Sequence, residues 1–118
     1  MRAMKLAGRH KPVILESAIL NIKPGQSADF ERAFVQASPI VASAHGYMGH
    51  ELRRCIETAD RYILLIRWET LDDHVVGFRQ SPAFLEWKSL LHHFYEPFPT
   101  VEHFQLVYAN QAENQGQN

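Results

Sequence analysis

The sequence of 118 residues has little of several features that would assign it to a special class of protein. It contains a single cysteine, Cys55, so no disulfide can form within the chain, which fits a reducing compartment. It has no apolar run near the ~18 residues of a membrane span, and its N-terminus lacks the apolar core of a signal peptide. We therefore expect a cytoplasmic protein that does not enter a membrane.

No charge of one sign dominates the chain, and no familiar catalytic motif occurs in it. The 12 lysines and arginines nearly balance the 13 aspartates and glutamates, so the chain lacks the basic field that draws proteins to nucleic acid. It has no phosphate-binding loop, dinucleotide-binding glycine pattern, nucleophile elbow or paired-carboxylate motif. The sequence therefore predicts one globular domain without a nucleic-acid partner.

Composition divides the chain into a folded domain and two polar tails. Residues 1–11 are basic and poor in apolar side chains, which predicts a solvated tail or, alternatively, a basic arm that contacts a partner. Residues 110–118 are almost entirely polar and predict a loosely attached tail. The folded domain is therefore predicted to span residues 12–109.

Hydrophobic periodicity inside this domain predicts four strands and two helices. The strands are predicted at Val13–Ile22, Tyr47–Ile56, Arg61–Trp68 and Val101–Tyr108. The helices are predicted over about 26–45 and 70–94.

Each predicted helix contains an internal proline. Pro39 removes a backbone N–H within the first helix, and we expect a kink or a restart there because the apolar spacing continues beyond it. Ser81 and Pro82 form a favourable N-cap and N1 pair, which predicts that the second helix restarts at that point. Thr70, with Asp73 three residues later, is the predicted N-cap of its first part.

The order strand, helix, strand, strand, helix, strand is typical of the ferredoxin-like plait. In this α+β fold two helices, both kinked here, cover one face of a four-stranded antiparallel sheet. The strands are nevertheless apolar on both faces, since Tyr62 and Leu64 alternate with Ile63 and Leu65 in the third strand. A strand that is apolar on both faces needs a cover on both. We therefore expect the open sheet face to pack on a second copy of the chain in a homodimer.

Three segments of the sequence resemble one protein family. They are Gly46–Arg54 (GYMGHELRR), Tyr62–Thr70 (YILLIRWET) and Phe78–Pro82 (FRQSP). The strand-ending Trp-Glu-Thr before a helix and the Ser-Pro that follows are their most specific parts. On these residues the chain, from about Val13 to Tyr108, resembles the antibiotic biosynthesis monooxygenase domain.

The resemblance implies a dimeric α/β barrel with a pocket between the sheet and the helices of each subunit. Some members of the family oxygenate aromatic polyketides or quinones without a metal or flavin, because the substrate itself supplies electrons to O₂. A related branch degrades haem with an asparagine, a tryptophan and a histidine. Ala18, Gly77 and Lys88 stand near those three positions in this sequence, so haem degradation is disfavoured.

Two histidines are candidates for the catalytic proton acceptor of such a reaction. His50 is predicted to share a strand face with Met48 and Leu52, and His74 lies on the apolar helix face beside Phe78. A neutral imidazole with a reference pKa of ~6.5 can act as a general base for a phenol or hydroquinone. The alternative for each is a core histidine that hydrogen-bonds to a neighbour.

Four aromatic side chains are candidates for substrate contacts: Trp68, Phe78, Trp87 and Phe94. Trp68, at the end of a strand, is the favoured pocket wall, whereas core packing is the preferred interpretation for Trp87 and Phe94. A metal site is not expected, since the adjacent His92 and His93 lie off the apolar stripe of their helix.

The resemblance, together with these candidate residues, implies a cofactor-independent monooxygenase that acts on an aromatic phenol or quinone. The alternative is a non-catalytic homodimer of the same fold, either small-molecule-binding or stress-associated. An open cavity of ~300 Å³ or more that reaches His74 would favour the enzyme. A cavity closed by Trp68 and Phe94 would favour the alternative.

Overall fold

The structure, a computed structural model, describes residues 13–112. Its elements are β1 (Ile14–Asn21), α1 (Ser27–Ala42), β2 (Tyr47–Arg54), β3 (Arg61–Trp68), a π-helical segment (Asp73–Phe78), α2 (Pro82–Leu91), a 3-10 turn (His92–Phe94) and β4 (Val101–Gln105). The predicted N-terminal tail and residues 113–118 lie outside the described residues. Among the described helices, none has the length and apolar character needed to cross a membrane.

The four strands form one antiparallel sheet in the order β2-β3-β1-β4. β1 pairs with β3 from Ile14 opposite Trp68 to Asn21 opposite Arg61, and with β4 on its other side. Both helices lie on one face of this sheet, where Phe30 of α1 contacts Tyr62 of β3. The predicted α+β ferredoxin-like fold is therefore confirmed, whereas its assembly into a dimeric barrel stays a prediction.

The hydrophobic core lies between the sheet and the helices. Its largest fully buried side chains come from both layers: Trp68, Phe30, Leu20, Ile66, Leu91 and Val41. Full burial of an apolar side chain of this size stabilises a fold by ~1.5–3 kcal/mol relative to leaving it exposed. These contacts hold the helices over the sheet and so position the residues between them.

α1 continues through Pro39 without interruption, so the predicted restart at this residue does not occur. The helix buries one stripe of side chains against the sheet, namely Phe30, Phe34, Ala37 and Val41. Because this stripe extends on both sides of Pro39, its packing holds the helix together where the proline removes a backbone hydrogen bond. The helix then ends at Ala42, before the predicted end at His45.

β2 contains a β-bulge that changes which side chains share a face. Tyr47 and Gly49 pair with neighbouring residues of β3, which leaves Met48 as the extra residue. Gly49 has a φ of +133°, a conformation that residues with a Cβ rarely adopt. The prediction that Met48 shares a strand face with His50 is therefore wrong. Met48 is 48% exposed, and Tyr47 packs beside His50 instead.

The second helical region divides where the sequence predicts. The Asp73 N–H donates to Thr70 Oγ1 at 3.1 Å and the Thr70 N–H donates to Asp73 Oδ2 at 3.2 Å, which confirms the predicted capping pair. Ser81 Oγ accepts a hydrogen bond from the Phe84 N–H at 3.2 Å, which confirms the restart at α2. The intervening π-helical segment turns His74 toward the core.

β4 ends at Gln105 rather than at the predicted Tyr108. Gln105 lies opposite Ile14, the first residue of β1, so within residues 13–112 the chain beyond it has no strand to pair with. Leu106, Val107 and Tyr108 are consequently 77%, 95% and 77% exposed.

Candidate functional site

A cavity of about 420 Å³ lies between the sheet and the second helical region. Its apolar lining includes Phe78, Phe84, Trp87 and Phe98 from the helical side and Ala18 and Leu64 from the sheet. Its polar lining consists of Glu16, His74, Arg79, Lys88, His92 and Tyr95. An apolar cavity of this volume with a few polar groups is typical of small-molecule sites.

Glu16 is the acidic side chain of the cavity wall, on the core face of β1, and it is only 6% exposed. Trp68 Nε1 donates to Glu16 Oε1 at 2.8 Å, and His74 Nε2 lies 3.4 Å from the same oxygen. Burial raises the pKa of Glu16 to about 7, although the hydrogen bond from Trp68 and the charge of Arg79 oppose this rise. A carboxyl that exchanges its proton near neutral pH is suited to general acid–base chemistry.

A row of three side chains leads from Glu16 to the edge strand β4. His74 is 3% exposed and stacks on Trp68, with 5.3 Å between the ring centroids. His74 Nδ1 and His103 Nε2 share a hydrogen bond of 2.8 Å. His103 is half-buried and lies on β4 directly opposite Glu16. Glu16, His74 and His103 are thus neighbours in space although they belong to three separate elements.

Both histidines of this row are neutral near pH 7. Burial, with smaller contributions from the charges of Arg79 and His103, lowers the pKa of His74 to about 4. Burial and the charge of Arg79 also lower the pKa of His103. A neutral imidazole has one nitrogen that donates and one that accepts a hydrogen bond. The row therefore has the donors and acceptors that proton transfer between neighbours requires.

The structure separates the four aromatic side chains predicted to contact a substrate. Phe78 and Trp87 line the cavity. Trp68 lies behind the cavity wall, fully buried, where it holds Glu16 by a hydrogen bond and His74 by stacking. Phe94 packs in the core, with its ring centroid 5.7 Å from that of Phe30.

His50 lies between β2 and α1 and is not part of the cavity lining. Its Nε2 lies 2.8 Å from Ser38 Oγ, and its Nδ1 shares a hydrogen bond with the Tyr47 hydroxyl. The ring packs on Phe34, with 5.8 Å between the centroids. Burial, more than any neighbouring charge, lowers the pKa of His50. The structure therefore does not bring His50 together with His74.

Sequence reasoning missed Glu16 and His103 as site residues. The signal available for Glu16 is an acidic residue in the middle of an apolar strand face, since charged side chains are rarely buried without a partner. No sequence pattern relates His103 to His74, because the hydrogen bond between them joins distant elements. Within residues 13–112, no group of three or more histidine, cysteine, aspartate or glutamate side chains is arranged to hold a metal ion.

Comparisons with known proteins identify relatives of this chain. The family model for antibiotic biosynthesis monooxygenases matches residues 14–90. The uncharacterized protein YczJ of Bacillus subtilis (strain 168) is 54% identical over 95 residues, which cover 80% of this chain and 100% of YczJ. A crystal structure from Bordetella bronchiseptica, provisionally described as an antibiotic biosynthesis monooxygenase, is 42% identical with a TM-score of 0.79. That match covers 82% of this chain and 99% of the Bordetella chain.

A more distant similarity extends to an oxygenase of known type. SnoaB, a cofactor-independent oxygenase from Streptomyces nogalater, is 22% identical with a TM-score of 0.61, over 89% of this chain and 99% of SnoaB. At this identity the similarity shows a shared fold only. The family model and the identity to the Bacillus and Bordetella proteins go further, because they cover most of the chain. The protein therefore belongs to the antibiotic biosynthesis monooxygenase family.

Proposed function

We propose that this protein is a cofactor-independent monooxygenase that acts on an aromatic phenol or quinone-type small molecule. The observation that carries this proposal is Glu16, a carboxyl with a pKa of about 7 in the wall of an apolar cavity. A general base is most effective when its pKa lies near the working pH. Phe78 and Trp87 offer the aromatic surface on which a flat ring can stack.

The proposed reaction begins when the Glu16 carboxylate takes the hydroxyl proton of the phenol. The electron-rich phenolate gives one electron to O₂, and the two radicals combine into a peroxide on a ring carbon. Glu16 returns its proton to the peroxide. The ring carbon that bears the peroxide also carries a hydrogen, and loss of water converts this carbon into a carbonyl. One O₂ is used, one of its oxygen atoms enters the product and the other leaves as water. The substrate supplies all the electrons, so the balance needs no external reductant.

His74 and His103 support Glu16 in this proposal. With a pKa of about 4, His74 is a weaker base than Glu16, although it also lines the cavity. Its position within 3.4 Å of Glu16 and its hydrogen bond to His103 are suited to exchange of the Glu16 proton between turnovers. Trp68 keeps the carboxyl in place by donating to Oε1.

Oxygen consumption tests the proposal directly. A panel of anthrones, naphthols and hydroquinones is offered to the protein without reductant, and uptake of one O₂ per product is expected for at least one compound. Glu16→Gln is expected to lower turnover by ~100-fold or more, because it removes the base. Glu86→Gln, an exposed change on α2, is the matched control. Binding without turnover across the panel would contradict the proposed monooxygenase activity and support the non-catalytic homodimer.

We further propose that two copies of the chain pack through the sheet face opposite the helices. Ile19 of β1 and Phe104 of β4 lie on that face and are 46% and 49% exposed. The exposed apolar segment Leu106–Tyr108 continues from the same edge of the sheet. Burial of these apolar side chains against a second copy is favourable, and contiguous exposed apolar patches typically mark such contacts.

The mass in solution at micromolar concentration tests the homodimer. The wild type is expected to have twice the mass of one chain, and Ile19→Glu is expected to give a monomer because it places a charge in the interface. Val35→Glu, on the exposed side of α1, serves as the control. A monomeric wild type would contradict the proposed dimer.

A further inference from the structure

Two cationic side chains of the cavity wall, Arg79 and Lys88, form no ion pair with a carboxylate of the described residues. Arg79 follows the π-helical segment and Lys88 lies on α2, and both side chains reach the cavity lining from exposed positions. Some cations outside the cavity lining, namely Arg32, Arg53 and Arg54, each pair with an aspartate or glutamate, whereas others outside it do not. The cavity wall therefore carries positive charge that no direct ion pair within residues 13–112 neutralises.

The fields of these two cations reach the groups that face the cavity. The charge of Arg79 contributes to lowering the pKa of Glu16 and of His74, and the charge of Lys88 acts in the same direction on His92. Glu16 is the acid of the wall, and it is protonated for much of the time near pH 7. An anionic group at this wall thus meets the positive charges of Arg79 and Lys88.

We propose that the ligand of this cavity is an aromatic compound with a carboxylate substituent, which Arg79 and Lys88 bind. A guanidinium presents two parallel N–H donors that match the two oxygens of a carboxylate, and an ammonium adds a mobile point charge. The aromatic part lies against Phe78, Phe84 and Trp87, with its hydroxyl toward Glu16. This inference rests on the proposed function for the role of the cavity and adds the substrate class.

A matched pair of probes tests the carboxylate separately from the ring. 6-Hydroxy-2-naphthoate and 2-naphthol share one ring system and one hydroxyl, and only the first carries a carboxylate. Their binding is measured by quenching of tryptophan fluorescence without oxygen, so that turnover plays no part. Arg79→Met and Lys88→Met are each expected to weaken 6-hydroxy-2-naphthoate about tenfold, since each removes a charge-assisted contact. Binding of 2-naphthol is expected to change far less.

Two further variants serve as controls for position and charge. Lys23→Met removes a lysine that does not line the cavity and is expected to change neither affinity. Ala18→Leu fills part of the cavity floor and is expected to weaken both probes, provided that circular dichroism shows it folded. Binding that Ala18→Leu leaves unchanged lies elsewhere and counts against the proposal. If that variant does not fold, comparison of the two probes in Arg79→Met and Lys88→Met still tests the proposal.

Equal losses for both probes, no loss for either probe, or no binding by the wild type would overturn the carboxylate proposal. Its failure is distinct from failure of the proposed function. If the wild type consumes oxygen on 6-hydroxy-2-naphthoate and the rate is unchanged in Arg79→Met and Lys88→Met, the proposed oxygenase activity stands and the proposed carboxylate site is refuted. Selective binding of 6-hydroxy-2-naphthoate without oxygen consumption on any compound would support the carboxylate site and contradict the proposed oxygenase activity.

Discussion

Two histidines on the same side of the sheet, the half-buried His50 and the buried His74, differ in their surroundings. Both have a pKa lowered mainly by burial. The ring nitrogens of His50 bond the hydroxyls of Ser38 and Tyr47 in a packed part of the core. Those of His74 face His103 and the Glu16 carboxyl beside an open cavity. A pKa lowered by burial therefore does not by itself distinguish a structural histidine from a reactive one, whereas titratable neighbours and access for a ligand do.

The same contrast separates two halves of the core. Between α1 and β2, Phe34 fills the space beside His50 and contacts Phe30 and Trp87. Between α2 and β4, the packing leaves room for a small molecule. We therefore expect substitutions in the first half to change stability and substitutions in the second half to change turnover.

The largest expected difference is in turnover. His74→Gln is expected to lower the rate of oxygen consumption roughly a hundredfold, toward the lower end of what acid–base groups contribute, because it interrupts the row behind Glu16. His50→Gln is expected to leave that rate nearly unchanged. Rates are compared on the compound of the panel that the wild type oxidises fastest. Equal losses in the two variants would remove the functional distinction between the two histidines.

The next difference is in the free energy of unfolding. Phe34→Ala is expected to cost about 3–5 kcal/mol, because the ring is 6% exposed and its removal leaves a cavity in a packed region. Phe84→Ala is expected to cost clearly less, since that ring is half-buried and already borders a cavity. Urea denaturation at one protomer concentration measures both. Similar costs would mean that the two halves are equally packed.

A pH dependence specific to Glu16 follows from its pKa, which burial raises from the ordinary 4.5 to about 7. Below pH 4.5 the carboxyl is protonated in the folded and in the unfolded chain, so its burial does not make stability depend on pH. Between pH 4.5 and 7 the unfolded chain loses this proton and the folded one keeps it, so stability falls as the pH rises.

Glu16→Gln removes this effect. As the pH rises from 4.5 to 8, the free energy of unfolding of this variant is expected to increase by about 3 kcal/mol relative to that of the wild type. Urea denaturation across this range measures the gain, and Glu86→Gln is expected to show none. A difference between Glu16→Gln and wild type that does not change with pH would show that Glu16 titrates normally.

The smallest effect is expected at Ser38, on the packed side of the comparison. Ser38→Ala removes the hydroxyl that bonds His50 Nε2 and is expected to lower the free energy of unfolding by about 1 kcal/mol. Turnover is expected to stay at the wild-type value. Ser89→Ala, at an exposed position of α2, is the control for loss of a hydroxyl. A loss of turnover in Ser38→Ala would connect the packed half to the reaction.

The predictable parts of the fold depend on residues close together in the chain. The bounds of β3, Arg61–Trp68, follow from one continuous apolar run. The caps at Thr70 and Ser81 each form within three residues. The bulge at Met48 and the unbroken helix at Pro39 were not predicted, because pairing with β3 and packing on the sheet decide them.

The sequence by itself determined the element order, the four-stranded sheet with helices on one face, and the family, because periodicity, caps and motifs are local. It also named His74, Phe78 and Trp87 as candidates, and all three line the cavity. Only the tertiary structure decided that His74 meets Glu16 and His103, that His50 is held by hydroxyls, and that a cavity remains beside α2. Those results depend on strand register and on how distant elements pack, which no spacing within the chain encodes.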